Sequence, residues 1–187
     1  MRKNFKPESM LFPLPVLVLG SYDKEGKPNA MTASWGGIYD TNQVFICLAS
    51  DHKSSENIKE RHEFSISFAT KDTVLISDYF GIKSGYKEDK ITKSKVIVKK
   101  CENIDAPFFE EFPVFLECRV SSLKEENETI YLVADIVNIS AEESVLNEKG
   151  RIDISKLKPI SYNPSTHTYN VVGEQVGFAF KDGRKIK

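Results

Sequence analysis

Hydroxyl and cationic side chains gather in one short segment, Ser50-Asp-His-Lys-Ser-Ser55. The segment lies where an apolar run ends and a helical pattern begins, and the free N–H groups at a helix N-terminus attract anions. Lys53 would add a formal positive charge, and the serine hydroxyls would add directional donors. The segment therefore predicts a phosphate site. A surface helix capped by Ser54 or Ser55 is the alternative interpretation, because serine is a common cap.

A second unusual segment is Asn29-Ala-Met-Thr-Ala-Ser-Trp35, which follows turn-forming residues and is expected to be extended. Alternation along an extended chain gives it one face of small residues, formed by Ala30, Thr32 and Ser34. Such a face lets the backbone approach the edge of a flat ring, whose polar atoms need hydrogen-bond partners and whose faces need apolar cover. An exposed strand face, with Trp35 in the core, is the alternative.

Common catalytic signatures are absent from the sequence, which contains no GxGxxG, GxxxxGK[ST], HExxH or GxSxG. The histidines at 52, 62 and 167 lack the spacing of a helical metal site, so we expect surface or structural roles for them. The three cysteines, at 47, 101 and 118, fit neither a CxxC pair nor a zinc spacing. This cysteine usage is typical of a reducing compartment, and we expect a cytoplasmic protein.

The bulk composition describes an ordinary globular chain. With 40% hydrophobic and 28% charged residues in a length of 187, we expect one domain spanning 1–187. Its 26 basic and 27 acidic residues leave a net charge of -1, so no global field would attract nucleic acid or an anionic membrane. Pro13 and Pro15 interrupt the only apolar run near the N-terminus, and no stretch approaches the roughly 20 apolar residues of a membrane span.

Short segments with strand patterns must position these side chains. The predicted strands are 16–19, 29–35, 44–49, 64–68, 114–120 and 129–139. The run 44–49 is nearly all apolar, which predicts a central strand buried on both faces. The last two strands are separated by a polar link and predict a long antiparallel hairpin.

Two short helices are predicted between these strands. The first begins at Ser54 or Ser55 and ends at Arg61, and the second covers 73–80, with Gly81 as its stop. The stretch 83–95 is predicted to be a loop. Consecutive hairpins with a few short flanking helices predict a mainly β (α+β) fold, an antiparallel split β-barrel.

Four segments, taken in their order along the chain, resemble the flavin reductase-like family of FMN-binding split barrels, especially its flavoredoxin-like branch. The resemblance spans nearly the whole chain. Its carriers are Lys27-Pro-Asn-Ala-Met-Thr-Ala-Ser-Trp35, the segment Ser50 to Ser55 with Glu56-Asn-Ile58, Phe80-Gly-Ile-Lys-Ser-Gly85 with Asp89-Lys90, and Tyr169-Asn-Val-Val-Gly-Glu174.

The resemblance implies a flavin site that holds FMN, with FAD as the alternative flavin. The cofactor-binding residues it implies are Asn29, Ala30, Met31, Thr32, Ala33, Ser34, Trp35, Ala49, Ser50, His52, Lys53, Ser54, Ser55, Ser84, Gly85, Lys90 and Tyr169. The segment 29–34 would line the isoalloxazine and the ribityl chain, and 52–55 would lie closest to the phosphate. Tyr169 would close the pocket from the same or a partner subunit. Members of the family are usually homodimers, so a homodimer is implied as well.

Three functions follow as hypotheses. The first is an NAD(P)H-dependent flavin reductase or flavin-linked oxidoreductase, in which the reactive atoms belong to the cofactor and no protein residue is named as catalytic. The second is a flavoredoxin-like electron carrier that exchanges electrons with a redox partner protein and has no small-molecule turnover. The third is a barrel that binds another ligand without redox chemistry, because a fold does not fix a function.

Overall fold

A computed structural model describes residues 1–186 of the chain. Its strands are β1 (Leu14–Pro15), β2 (Leu17–Tyr22), β3 (Pro28–Ala33), β4 (Gly36–Asp40), β5 (Gln43–Ala49), β6 (Glu63–Phe68), β7 (Val98–Lys100), β8 (Pro107–Phe109), β9 (Val114–Glu126), β10 (Thr129–Ala141), β11 (Ile160–Asn163) and β12 (Thr168–Val171). Its α-helices are α1 (Lys53–Arg61), α2 (Val74–Ile82), α3 (Lys90–Ser94) and α4 (Ile154–Leu157). This content confirms the predicted mainly β fold with short helices.

Seven strands form the main sheet in the order β3-β2-β6-β9-β10-β5-β4, and every neighbouring pair is antiparallel. Strands β3 and β4 lie at opposite ends of this order, although only Ser34 and Trp35 separate them along the chain. The sheet must therefore curl until its two ends meet. Because the end strands do not pair with each other, the barrel is split there, and the outer edge of β3 has no strand partner among residues 1–186.

The barrel core follows the two-residue alternation of the strands. Val44, Ile46 and Leu48 of β5 point inward and are at most 7% exposed. Phe45 and Ala49, on the other face, are exposed. The prediction of a central strand buried on both faces was therefore wrong. Strand β5 lies next to the end of the sheet, and the part of the chain that the structure describes leaves Phe45 and Ala49 on its outer face uncovered.

Helix α2 packs across the outside of β3. The Thr32 hydroxyl donates to the Ser77 carbonyl at 2.5 Å, and Ala30 is fully buried in a cluster with Phe80. The small side chains of β3 thus make room for this helix. The helix continues to Ile82, so the prediction that Gly81 ends it was wrong. A Cβ on Gly81 would lie 3.5 Å from the Thr32 Cβ, which is an ordinary contact, and the residue has no left-handed backbone that would end a helix.

Helix α3 lies inside the stretch that was predicted to be a loop. Asp89 caps it, because its carboxylate accepts a hydrogen bond from the Thr92 N–H at 3.0 Å. This five-residue helix fixes the position of Lys90, its first residue. No helix within residues 1–186 is long and apolar enough to cross a membrane.

Candidate functional site

The N-terminus of α1 lacks a side-chain cap. The helix begins at Lys53, and the preceding His52 makes no side-chain hydrogen bond to the first turn. Ser54 accepts a hydrogen bond from the Asn29 amide at 2.7 Å, and Ser55 donates to the Ala49 carbonyl at 2.7 Å. The prediction that one of these serines caps the helix was therefore wrong. Their hydroxyls tie α1 to neighbouring strands and leave the first-turn N–H groups without a side-chain acceptor.

A small cavity of about 160 Å³ lies at this helix terminus. Its lining residues are Asn29, Met31, Thr32, His52, Lys53, Ser54, Phe80, Gly81, Ile82, Lys83, Ser84, Gly85 and Lys90. The cavity therefore combines the positive end of a helix with polar side chains, which is the usual composition of an anion site.

Lys90 is the most unusual residue of the small cavity. Its side chain is only 3% exposed, and its ammonium donates to the Phe80 carbonyl at 3.1 Å. No carboxylate of residues 1–186 lies within 4 Å of it. Burial lowers the pKa of Lys90 to about 8, although the more distant Glu88 carboxylate acts in the opposite direction. The ammonium has three N–H donors, and only the Phe80 carbonyl accepts from it among residues 1–186. A buried ammonium with donors to spare is suited to an anionic ligand.

Lys53 contributes less free charge than the sequence suggested. Its ammonium lies 2.7 Å from Oε1 of Glu56. The other carboxylate oxygen, Oε2, accepts a hydrogen bond from the Tyr86 hydroxyl at 2.6 Å. These two hydrogen bonds lower the pKa of Glu56. Burial and the Glu56 carboxylate raise the pKa of Tyr86 to about 12. Lys53 is therefore held in place by a carboxylate, and the unpaired positive charge in the cavity belongs to Lys90.

Gly85 forms the outer wall of the small cavity at very short range. A Cβ at this position would lie 2.5 Å from the Asn29 side-chain oxygen and 3.2 Å from the Lys53 Cβ. No residue with a side chain fits there without displacing Asn29. The loop that follows α2 thus closes over the start of β3 and the start of α1.

A larger cavity of about 580 Å³ continues from the small one. Its lining residues are Met31, Thr32, Ala33, Ser34, Trp35, Cys47, Leu48, Ala49, His52, Asp78, Gly81, Ile82, Thr129, Tyr162, His167 and Tyr169. The two cavities share Met31, Thr32, His52, Gly81 and Ile82, so they form one continuous space along β3. The outer edge of β3, which has no strand partner among the described residues, can present backbone groups to a ligand in this space.

Aromatic residues form the far rim of the larger cavity. The Trp35 and Tyr162 ring centroids are 6.5 Å apart, and a hydrogen bond of 2.8 Å joins the Tyr162 hydroxyl to His167 Nδ1. The Tyr169 hydroxyl donates to Asp78 at 2.9 Å. Burial is the larger cause and this hydrogen bond the next of the shift that raises the pKa of Tyr169 to about 12. The phenol therefore keeps its proton at neutral pH.

The two cavities bring together most of the residues predicted from the sequence. Fourteen of those 17 line one cavity or both, and the three that line neither are Ala30, Ser50 and Ser55. Ala30 lies under α2, and Ser55 is fully buried. Ser50 lies in the turn after β5, where its N–H donates to the Glu128 carbonyl. The cofactor contacts of all 17 residues stay a prediction.

Several lining residues were not predicted from the sequence, among them Asp78, Tyr162 and His167. Two of them, Tyr162 and His167, lie in the aromatic and polar stretch 162–169, which ends at the predicted Tyr169. In the β11–β12 hairpin Tyr162 pairs directly with Tyr169, so selecting one tyrosine should have selected the other. Asp78 gave no local signal, because its partner Tyr169 lies 91 residues away in the sequence.

The site thus offers an apolar space with a polar strand edge, followed by a small cavity with a buried cation. A planar heteroaromatic ring that carries a phosphate at the end of a chain matches this arrangement, and an FMN molecule has this composition. The uncapped helix terminus and the unpaired Lys90 are the features that fit the phosphate.

Comparisons with known proteins agree with this geometry. The profile of the "Flavin reductase like domain" matches residues 9–171. Flavoredoxin of Desulfovibrio vulgaris (Miyazaki F) is 31% identical, with a TM-score of 0.93 over 98% of this chain and 100% of that chain. Nitrilotriacetate monooxygenase component B from Bacillus cereus is 25% identical, with a TM-score of 0.79 over 90% of this chain and 88% of that chain.

A split-barrel protein from Shewanella frigidimarina, only 13% identical, superposes with a TM-score of 0.80 over 89% of this chain and 86% of that chain. This similarity confirms the predicted split barrel. The profile match covers most of the sequence, and it agrees with the resemblance carried by the four segments. The chain belongs to the flavin reductase-like family.

Proposed function

We propose that the protein binds FMN and acts as an NAD(P)H-dependent flavin oxidoreductase. The observation that carries this proposal is the continuity of the two cavities, which leads from the Trp35–Tyr162 rim to the buried ammonium of Lys90. Lys90, Ser54, Ser84 and the first turn of α1 would hold the phosphate. Met31 to Trp35 and Ala49 would line the ring and the ribityl chain. Bound FMN would supply the hydride and electron chemistry.

The size of the small cavity favours FMN over FAD. Its volume of about 160 Å³ suits one phosphate group, and the contact of Gly85 with Asn29 closes its outer wall. An adenosine diphosphate extension would have to displace that loop. We therefore propose FMN as the preferred flavin.

The larger cavity supports a reaction with a second small molecule. Its volume of about 580 Å³ lies in the range of sites that hold a whole drug-sized ligand, and Trp35 at its rim is 50% exposed. A planar donor such as a nicotinamide could therefore reach the space beside the ring. The similarity to a monooxygenase component supports a redox role for this chain.

An anaerobic visible spectrum tests both parts of the proposal. The purified protein is saturated with FMN, freed of excess flavin and titrated with NADH or NADPH under argon. We expect one of the two to bleach the flavin absorbance within seconds. Bleaching by dithionite alone would overturn the reductase proposal and favour an electron carrier that works with a redox partner protein. Failure to retain any FMN would overturn the flavin proposal itself.

We also propose that the protein forms a homodimer through the outer face of β5 and β10, defined by Phe45, Cys47, Tyr131 and Val133. Val133 pairs directly with Phe45, and Tyr131 with Cys47, so the four side chains form one cluster. Phe45 and Tyr131 are 39% and 49% exposed, which is costly for aromatic rings. Light scattering should give a mass of twice 21.2 kDa.

The free cysteines support placement in the reducing cytoplasm.

A further inference from the structure

The C-terminal arm, residues 173–186, leaves the barrel after β12 and does not pack on it. Its hydrogen bonds among the described residues join only residues of the arm itself. Three of its apolar side chains are strongly exposed: Val176 at 92%, Phe178 at 60% and Phe180 at 93%. An isolated chain would leave these side chains in water, at the cost of their whole hydrophobic transfer free energy.

The arm nevertheless has a defined local conformation. The Phe178 N–H donates to the Asp182 carboxylate at 2.7 Å, and a short 3₁₀-helix covers Asp182–Lys185. The Lys181 ammonium lies 5.6 Å from the centre of the Phe178 ring. A segment with its own turn and an exposed apolar side is suited to docking on another surface.

The outer face of β5 and β10 is a matching surface on the same chain. It is apolar, and it continues to β4, where Gly37 pairs with Phe45 and Tyr39, two residues further on, is 62% exposed. Strands β4, β5 and β10 contain the acidic residues Asp40 and Asp135 and no lysine, arginine or histidine. The sequence from 173 to the end contains four basic and two acidic residues, so its net charge is opposite in sign.

We propose that the C-terminal arm of each copy lies on the outer face of a second copy, so that two arms are exchanged in the homodimer. The inference rests on the proposed homodimer and names the segment that holds it together. Phe180 lies eight residues after Val172, a span of up to roughly 26 Å when extended, which is enough for the arm to leave its own subunit. Phe178 and Phe180 of both copies would bury about 450–750 Å² of their own exposed surface, a substantial part of a standard interface.

The exchange would also border the site. Cys47 lies on the outer face and lines the larger cavity, and the arm begins four residues after Tyr169, which lines the same cavity. A partner's arm on this face would therefore lie beside the open side of the cavity.

Sedimentation equilibrium over a wide concentration range tests the proposal on three proteins. These are the full chain, a chain that ends at Val172, and the double variant Phe178→Ser/Phe180→Ser. We expect both changes to raise the dimer dissociation constant at least 100-fold. Leu75→Ser is the matched control, since Leu75 is 80% exposed on α2 and lies outside the arm and the outer face, and it should leave the constant unchanged.

The results separate the two proposals. A full chain that stays monomeric would overturn both the homodimer and the arm exchange. A dimer that is equally stable with and without the arm would overturn the exchange alone. A photoreactive benzoylphenylalanine in place of Phe180 gives a second measurement, and we expect cross-links between two chains that map to Gly36–Ala49 or Thr129–Ala141. Cross-links confined to one chain, or to other segments of the partner, would contradict the exchange.

Discussion

Replacing Lys90 with methionine should stabilise the flavin-free protein and weaken its affinity for FMN. The side chain is 3% exposed, and burial lowers its pKa from 10.5 to about 8. At 1.36 kcal/mol for each pH unit, keeping this ammonium charged at neutral pH costs about 3 kcal/mol. Methionine has a similar length and no charge, and it gives up the bond from the ammonium to the Phe80 carbonyl, which costs about 1.5–3 kcal/mol because the donor is charged. The variant should therefore gain about 1 kcal/mol, or roughly 2–4 °C in melting temperature.

The expected loss of affinity is confined to the phosphate. A hydrogen bond to a charged group contributes about 1.5–3 kcal/mol, so the affinity for FMN should fall roughly 10- to 100-fold. Riboflavin has the same ring and ribityl chain without the phosphate, and its affinity should not change. Fluorescence quenching of both flavins measures this difference. Lys93→Met removes a charge from the same helix at a residue outside both cavities, and it should leave both affinities unchanged.

The pH dependence gives an independent check of the same reasoning. Between pH 8 and 10.5 the unfolded chain keeps the Lys90 proton and the folded chain loses it, so rising pH favours the folded state. The unfolding free energy of the native protein should therefore approach that of Lys90→Met across this interval. A variant that is less stable at pH 7 would refute the cost assigned to the buried charge, and a variant that loses riboflavin and FMN affinity equally would refute the assignment of Lys90 to the phosphate.

Three further predictions concern the walls of the cavities. Gly85→Ala should lower FMN affinity at least tenfold in the same fluorescence titration, because its Cβ would lie 2.5 Å from the Asn29 oxygen; unchanged affinity would show that the loop moves freely. Ser54→Ala should cost about 1–3 kcal/mol in urea unfolding, since the buried Asn29 amide loses its acceptor, and a neutral result would contradict that. Tyr169→Phe should cost about 1 kcal/mol at pH 7 through the lost bond to Asp78. From pH 10 to 12 the folded state keeps the Tyr169 proton and the unfolded state loses it, so the native protein should lose stability as the pH rises. The variant lacks this phenol and should lose less stability, which urea midpoints measured across this pH range would show.

Local patterns were sufficient to predict most strands, because alternation reports directly which face is buried. The same reasoning failed for β5. An apolar residue such as Phe45 can face either the core of its own chain or a second copy, and composition does not distinguish the two. The predicted loop at 83–95 failed for a different reason. Its abundant charges hid a five-residue helix whose position depends on one cap, the Asp89 carboxylate.

The same distinction applies to the site. The residues at 29–35 and 52–54 could be predicted, because each segment shows an unusual composition within a few positions. Asp78 could not be, since its significance comes from Tyr169, and Lys90 seemed an ordinary lysine until α3 buried it against the Phe80 carbonyl. Sequence patterns thus located the elements of the site, and tertiary contacts decided which charge in it is unpaired.

The division into two cavities separates affinity from reactivity. In the proposed complex, the small cavity would hold the phosphate with a buried ammonium and a helix terminus, and a second reactant would enter at the aromatic rim, which belongs to the larger cavity. A change at Lys90 should therefore alter how tightly the flavin is held without altering the reduction potential of its ring, since the lining residues that the two cavities share include neither Lys90 nor Trp35. Conversely, a change at Trp35 or at the arm that borders the rim should alter access of the electron donor and leave phosphate binding intact. This independence would let the same anchored cofactor serve different electron donors through changes at the rim alone.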